Sequence, residues 1–193
     1  PRYAVVTSAS ELSSAMKTLS GKTRLKSSAF GYDGKGQLSL DSTADPAKAW
    51  QKIQVPRAIL EEHVPFVREL SVIIARDSTG HSIFYSPFEN RHRDGILERT
   101  LFPARIPVPT AHRATQLAEQ IAKKLNLVGL LTVELFELSD GALWVNELAP
   151  RVHNSGHLTA EACPTSQFEQ QIRTICGLPL GSVSPIGPVA MFN

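Results

Sequence analysis

Cysteine is scarce in this chain of 193 residues: there are two, Cys163 and Cys176, far from any CxxC spacing. That argues against a disulfide framework or a zinc knuckle, and leaves two buried thiols in a reducing, cytoplasmic compartment as the expectation. No apolar run approaches the roughly 20 residues that a bilayer span requires, so no membrane segment is expected. An excess of one charge is also missing, since 20 Lys and Arg face 18 Asp and Glu for a net charge of +2. Nothing therefore points to a nucleic acid or a membrane surface read by bulk electrostatics, and each charged residue must be argued locally. What is present is ordinary globular material, 42% hydrophobic and 20% charged, enough for one large domain or two small lobes.

The first part of the chain alternates short strands and helices around a glycine-rich stretch. Tyr3 to Val6 and Thr23 to Lys26 read as strands. Between them Ser10 caps a helix through Leu19 that ends at Gly21. Residues 27 to 37 then carry Gly31, Gly34 and Gly36 before a strand at Leu38 to Leu40. This is a hairpin turn, for which Asp33-Gly34 is a strong signal, or a loop whose backbone N–H groups wrap phosphate oxygens, with Lys26 and Lys35 supplying charge. It is not a Walker loop, because Gly34-Lys35 is followed by glycine and not by Ser or Thr. A helix from Asp45 to Ile53, with Pro46 in its first turn, closes this part. Apolar Ala58 to Leu60 runs into Glu61, Glu62, His63 and Val64, which is read as the lobe boundary: residues 1–60 form a small lobe and 61–188 a larger one.

In the larger lobe Phe66 to Ala75 is a long strand with Glu69 on the same face as Val67, Ser71 and Ile73. Asp77 to Gly80 turns it back into Ser82 to Tyr85. Residues 89 to 97, containing His92, form a polar knot, and Pro103 to Pro109 a linker. Thr110 caps a helix whose apolar stripe is Ala114, Leu117, Ala118, Ile121 and Leu125. Leu130 to Leu138 and Ala142 to Leu148 are strands joined at Asp140-Gly141, where a two-residue turn places Glu134 opposite Glu147. A three-residue loop would offset this pairing. Like charges directly across a ladder are destabilising, so something positive is needed between them, and two carboxylates with an amide suit a hard divalent cation. Asn146 points to the other face by strict alternation, and a bulge would bring it and Glu147 to one site. His153, His157 and Glu161 have the spacing of a zinc face on a continuous helix, but Asn154 breaks the HExxH pattern and Ser155 reads as a helix start. A helix over Gln167 to Cys176 ends at Gly177. The chain opens at Pro1 and closes on apolar Val189 to Phe192, read as the start of a further domain of a longer enzyme.

Taken in order, the segments GYDGKGQ, ILEE, ENRHRDGIL, NELAPRVHNSGH and TSQFEQ resemble the 5-(carboxyamino)imidazole ribonucleotide synthetases of the ATP-grasp family, over nearly the whole chain. The resemblance implies an α/β (α+β) fold of two lobes, with largely antiparallel sheets and flanking helices that grip ATP. By position, Lys26 and Gly31, Tyr32, Asp33, Gly34, Lys35, Gly36 and Gln37 would contact phosphates. Glu61, Glu62, His63 and Val64 would line adenine, Glu69 would hold the ribose, and His92 would lie near the nucleotide. Glu134 and Glu147 would bind Mg2+, two ions with Mn2+ as an alternative, beside Asn146. Arg151, His153, Asp33 and Lys35 would act on the transferred phosphoryl group and the second substrate. The implied reaction phosphorylates bicarbonate and carboxylates aminoimidazole ribonucleotide in purine biosynthesis. A carboxylase partner or fused domain, and a homodimeric parent enzyme, are implied as well. The fragment alone is expected to bind ATP and Mg2+ with little or no turnover. Another ATP-grasp carboxylase or ligase, or a noncatalytic nucleotide-binding module, are the alternatives.

Overall fold

The computed structural model describes residues 1–29, 36–93 and 95–193, so the expectations for Gly31 to Lys35 lie outside the described residues. The chain separates into a unit of Pro1–Pro65 with Asp94–Ile96 and a unit of Phe66–Arg93 with Leu97–Asn193. Every strand pairing described is antiparallel, and among the described residues no helix is long and apolar enough to cross a membrane.

The first unit is a four-stranded sheet backed by two helices. Its elements are β1 (Tyr3–Val6), α1 (Ala9–Leu19), β2 (Thr23–Ser27), β3 (Gln37–Leu40), α2 (Pro46–Ile53) and β4 (Ala58–Glu62), with sheet order β1-β4-β2-β3. Helix α1 is capped by Ser8 and not by Ser10. The Ser8 hydroxyl accepts from the Glu11 N–H while Glu11 reaches back to the N–H and hydroxyl of Thr7. That reciprocal box satisfies two orphan donors, which Ser10 inside the first turn could not do. Asp45 caps α2 as expected, accepting from Ala47 and Lys48. Leu12, Ala15, Leu19, Ala49 and Ile53 pack on Leu25, Ala58 and Leu60 to make one core. Strands β2 and β3 pair through Lys26 and Gln37, so the glycine-rich stretch joins a hairpin. Strand β4 continues through Glu61 and Glu62 inside this sheet.

The second unit is a seven-stranded sheet with helices on both faces. It contains β5 (Phe66–Arg76), β6 (Ser82–Phe84), β7 (Phe88–Arg93), β8 (Ile96–Phe102), α3 (Val108–Lys124), β9 (Gly129–Leu138), β10 (Leu143–Ala149), α4 (Thr159–Ala162), α5 (Gln167–Ile175) and β11 (Val189–Phe192). The order is β10-β9-β5-β7-β8-β11, with β6 on β5. The polar stretch expected as a knot is thus mostly strand, because Glu89, Arg91 and Arg93 alternate with the buried Phe88 and Asn90 and find charged partners in Arg68 and Glu98.

One face, with Leu70, Val72, Ile74, Leu131, Val133 and Leu135, packs on Ala114, Ala118 and Ala122 of α3. That helix starts at Val108 with Pro107 before it and no side-chain cap; Thr110 is buried in the first turn, and Ala122 replaces Leu125, which is exposed, at the end of the stripe. The opposite face packs Ile73, Ala75 and Leu130 against Leu158 and Ala162. Both cysteines are free; Cys163 is buried as expected, but Cys176 caps the exposed end of α5 and is exposed. Strand β11 pairs with β8 in this unit.

Candidate functional site

The chemistry gathers on the second face of the larger sheet, next to the positions of Ile73 and Ala75 that pack on Leu158 and Ala162. Residues directly opposite in an antiparallel ladder share a face. Glu69 is opposite both Asn90 and Phe136, and Ser71 is opposite Glu134. The register therefore sets Glu69, Ser71, Asn90, Glu134 and Phe136 side by side on a surface that, further along, is apolar core.

The hairpin of β9 and β10 adds Glu147 by a route different from the expected one. The two-residue turn is not formed: Leu138 pairs with Ala142 across a three-residue loop, with Asp140 accepting from the Ala142 N–H and Gly141 left-handed at φ 80°. This offsets the ladder, so Val145 is opposite Leu135. A bulge between Val145 and Glu147 then restores Glu147 to Glu134. Two residues stand against one, which brings Asn146 to the same carboxylate: its amide Nδ2 donates to Glu134 Oε2 at 3.3 Å.

The like charges of this cluster have positive or hydrogen-bonding partners. His153 Nε2 lies 2.9 Å from Glu134 Oε1, with both side chains little exposed. Burial pushes the Glu134 carboxyl up, but the hydrogen bond and charge of His153, with His92 and Asn146 adding to them, prevail and hold it below the ordinary carboxylate value. His92 sits 3.0 Å from Glu69 and its backbone N–H donates to the same carboxylate at 3.1 Å. The Glu69 hydrogen bond raises the His92 pKa against burial, and the charges of Glu69, Glu134 and Glu147 raise it further. His92 thus answers to the charges of three carboxylates, and is not a stray surface residue.

His153 is held from behind by its own turn. It caps a 3-10 turn over Asn154–Gly156, its Nδ1 accepting from the Ser155 N–H. Gln167 clamps its backbone, accepting from the His153 N–H and donating to its carbonyl at 2.9 and 2.7 Å. Gly156 packs so closely on Ile73 and Gln167 that any Cβ would collide with both. The zinc arrangement does not form. His153 faces Glu134, exposed His157 lies against Phe168 with ring centroids 5.5 Å apart, and no group of three His, Cys, Asp or Glu among the described residues could hold a metal. Arg151 is exposed and its guanidinium donates to the Val152 carbonyl at 2.9 Å.

Beside Glu69, Phe66 and Phe136 stack in parallel at 4.4 Å, half exposed. Sequence reasoning gave no site role to Phe136, Ser71, Asn90 or Ser155, although it set Ser71 on the Glu69 face. The signal available for the first two was their shared parity with Glu134 and Glu69.

In the first unit Lys26 and Glu61 form an ion pair at 2.7 Å, both side chains about one-fifth exposed, on the sheet face opposite α1 and α2. Glu62 accepts from the Arg2 N–H and side chain, each at 2.8 Å, and these bonds, the backbone one first, lower its pKa. His63 is exposed with its N–H donated to the Lys22 carbonyl, and Val64 is buried. The Gly36 carbonyl accepts from Ser27, and Gln37 accepts from Arg24.

The ATP-grasp domain model matches residues 1–168, and this chain belongs to that family. Within it, the chain is 44% identical over 191 residues to the N5-carboxyaminoimidazole ribonucleotide synthase of Bacillus subtilis, covering 99% of this chain and 50% of that one. An ADP complex of an N5-carboxyaminoimidazole ribonucleotide synthetase superimposes with a TM-score of 0.94 at 44% identity, covering all of this chain and 51% of the other. The synthase of Aspergillus clavatus in complex with ADP and 5-aminoimidazole ribonucleotide gives 0.91 at 27% identity, again over the whole chain and 51% of the other. The chain spans about half the length of the curated relatives it matches.

Proposed function

We propose that this chain is the ATP-binding portion of a ligase that uses ATP and bicarbonate to carboxylate 5-aminoimidazole ribonucleotide in purine biosynthesis, in the cytoplasm. The observation that carries this is the bulge in β10, which turns Asn146 and Glu147 toward Glu134 on a single sheet face. Oxygen ligands from two carboxylates and an amide, with no further acidic or imidazole cage among the described residues, fit a cation such as Mg2+ that takes its remaining ligands from water and phosphate. Glu134 and Glu147 would hold one or two such ions, Mn2+ serving equally, with the Asn146 amide turned to offer its oxygen. A bound ion supplies charge neutralisation at the phosphate oxygens.

The remaining groups suit the other parts of the reactants. Glu69, steadied by His92, offers carboxylate oxygens to ribose hydroxyls, and the Phe66–Phe136 stack beside it is an apolar platform for a planar base. Glu61 to Val64 would line that base, and Lys26 with residues 31–37 would meet the phosphates. Arg151, exposed and donating to the Val152 carbonyl, presents a planar fork to negative charge developing on the transferred phosphoryl group. His153 offers a hydrogen from Nε2 beside it. Asp33 and Lys35 would act from the glycine-rich stretch. Phosphoryl transfer from ATP to bicarbonate gives ADP and carboxyphosphate, and the exocyclic amine then takes the carboxyl group with release of phosphate. Such transfer asks mainly for position and charge, which this set supplies. Domains of the longer enzyme would complete the ribonucleotide site, and a homodimer or a fused carboxylase partner belongs to the same reading.

Calorimetric titration of the chain with ATP, with and without Mg2+, tests the reading. Binding should require the metal and should weaken at least tenfold in Glu147→Gln, by the scale of metal-site substitutions. Affinity indifferent to both would overturn it. Turnover that depends on aminoimidazole ribonucleotide in the longer enzyme tests the substrate.

A further inference from the structure

We propose that a buried run of hydroxyl and amide groups fixes His153 in one tautomer, with Nδ1 as acceptor and the hydrogen on Nε2, making Ser155, Ser71, Asn90 and Thr100 positioning residues. Its purpose rests on the ATP-ligase reading; its geometry does not. The run crosses three strands of the larger sheet and ends on the 3-10 turn. Thr100 Oγ1 donates to Asn90 Oδ1 at 3.0 Å, and Asn90 Nδ2 donates to Ser71 Oγ at 2.9 Å. Ser71 Oγ is 2.8 Å from Ser155 Oγ, which is 2.9 Å from His153 Nδ1. Ser71, Thr100 and Ser155 are fully buried and Asn90 is 7% exposed, so water does not compete for these bonds.

The direction of the run follows from what each group can do. An amide NH2 only donates, so Ser71 accepts from Asn90 and its own hydrogen turns to Ser155. Ser155 then passes its hydrogen to His153 Nδ1. The Ser155 backbone N–H also points at Nδ1, at 3.4 Å, a longer and weaker contact that favours the same tautomer without fixing it. With Nδ1 accepting from the Ser155 hydroxyl, the hydrogen resides on Nε2, where it meets Glu134 Oε1 at 2.9 Å.

The opposite tautomer would ask Ser155 to donate to Ser71. Ser71, already holding the Asn90 hydrogen, would be left with a buried proton and no acceptor, a costly arrangement. The consequence for the site is a donor of fixed sense. When a cation draws off the Glu134 carboxylate, His153 presents N–H, and never a lone pair, to an anionic oxygen of the reactants.

Long-range proton–nitrogen correlation spectra of the 15N-labelled chain, free of nucleotide and at one fixed pH above the imidazole range, distinguish the two neutral tautomers. The His153 signals are identified by their loss in His153→Gln. The wild type should show the Nε2–H form. Asn90→Asp and Ser71→Ala are both made in Glu134→Gln, whose amide can accept from or donate to Nε2 alike, so that the carboxylate at 2.9 Å does not itself hold the hydrogen there. Asn90→Asp replaces the donor that sets the direction with an acceptor, so every hydrogen of the run can reverse. The Nδ1–H share should then rise by about tenfold or more, the scale of one buried hydrogen bond. A folded Asn90→Asp chain with the wild-type tautomer overturns the proposal. If that variant does not fold, Ser71→Ala decides: it frees the Ser155 hydroxyl to accept, the Nδ1–H form should appear, and its absence overturns the proposal equally. Loss of metal-dependent ATP binding in the wild type, with the tautomer shift intact, would retire the ligase reading and leave the positioning run in place.

Discussion

In the first unit Glu61 and Glu62 are held by Lys26 and Arg2, whereas in the second Glu69 and Glu134 are held by His92 and His153. The distances are similar, 2.7 to 3.0 Å, but the partners differ in kind. Lysine and arginine are permanent cations at neutral pH, and a carboxylate so paired is already neutralised. Imidazole can give up its charge within the physiological range and yields readily to an incoming cation. The carboxylates proposed to meet a metal and a ribose are thus the ones given replaceable partners.

Breaking the second set should have the largest effect. Glu147→Gln removes one of two opposed carboxylates at an exposed position, so metal-dependent ATP affinity should fall at least tenfold while the urea midpoint of the chain stays put. Next is Gly156→Ala, which pushes a methyl group onto Ile73 and Gln167, the clamp behind His153. Overpacking of this kind costs about 1–3 kcal/mol, readable as a lowered denaturant midpoint together with weaker nucleotide binding.

A third measurement sharpens the distinction between the partners through pH. Because the folded-state pKa of His92 is raised, its stabilisation is fully present below the ordinary imidazole value of about 6.5 and is lost as pH rises through the higher folded value. Glu134 has the opposite sign: its pKa is lowered, so its stabilisation is present above the ordinary glutamate value and is lost as pH falls through the lower folded one. Denaturation midpoints on the alkaline side should decline in the wild type and flatten in His92→Gln; equal slopes would remove His92 from the account. The smallest effect is expected from Arg2→Ala in the first unit. The Arg2 side chain is 66% exposed, so its loss should stay within about 1 kcal/mol, as for surface pairs.

Much of this was legible in the residues. Local signals placed β1, β2, α2 and α5 within a residue or two, because caps such as Asp45 and stops such as Gly177 act over short range. The opposition of Glu134 and Glu147 was read correctly through a turn that does not exist. The three-residue loop and the bulge at Asn146 are each one-residue departures, and they compensate. Counting along the sequence sees neither, since a bulge is set by how the strand ends against its neighbours. Ser71, Asn90, Thr100 and Ser155 were passed over for a related reason. Short polar residues scattered over 84 positions look like spacing, and only strand register brings Ser71 and Ser155 to 2.8 Å. Residues at the ends of helices misled where a neighbour did the same task better, as Ser8 does with Glu11 in place of Ser10.

Strand β5 pairs along its length with β9 on one side and with β7 and β6 on the other, and it carries Glu69 and Ser71 on one face and Leu70, Val72 and Ile74 on the other. An interior strand buried on both faces opens only when the whole unit unfolds. Its amides from Leu70 to Ala75 should therefore be the last in the chain to exchange with deuterium. Glu69 and Ser71 would then be mounted on the slowest-breathing part of the molecule, while Asn146 and Glu147 lie on the edge strand β10, where ligand-linked motion meets less resistance.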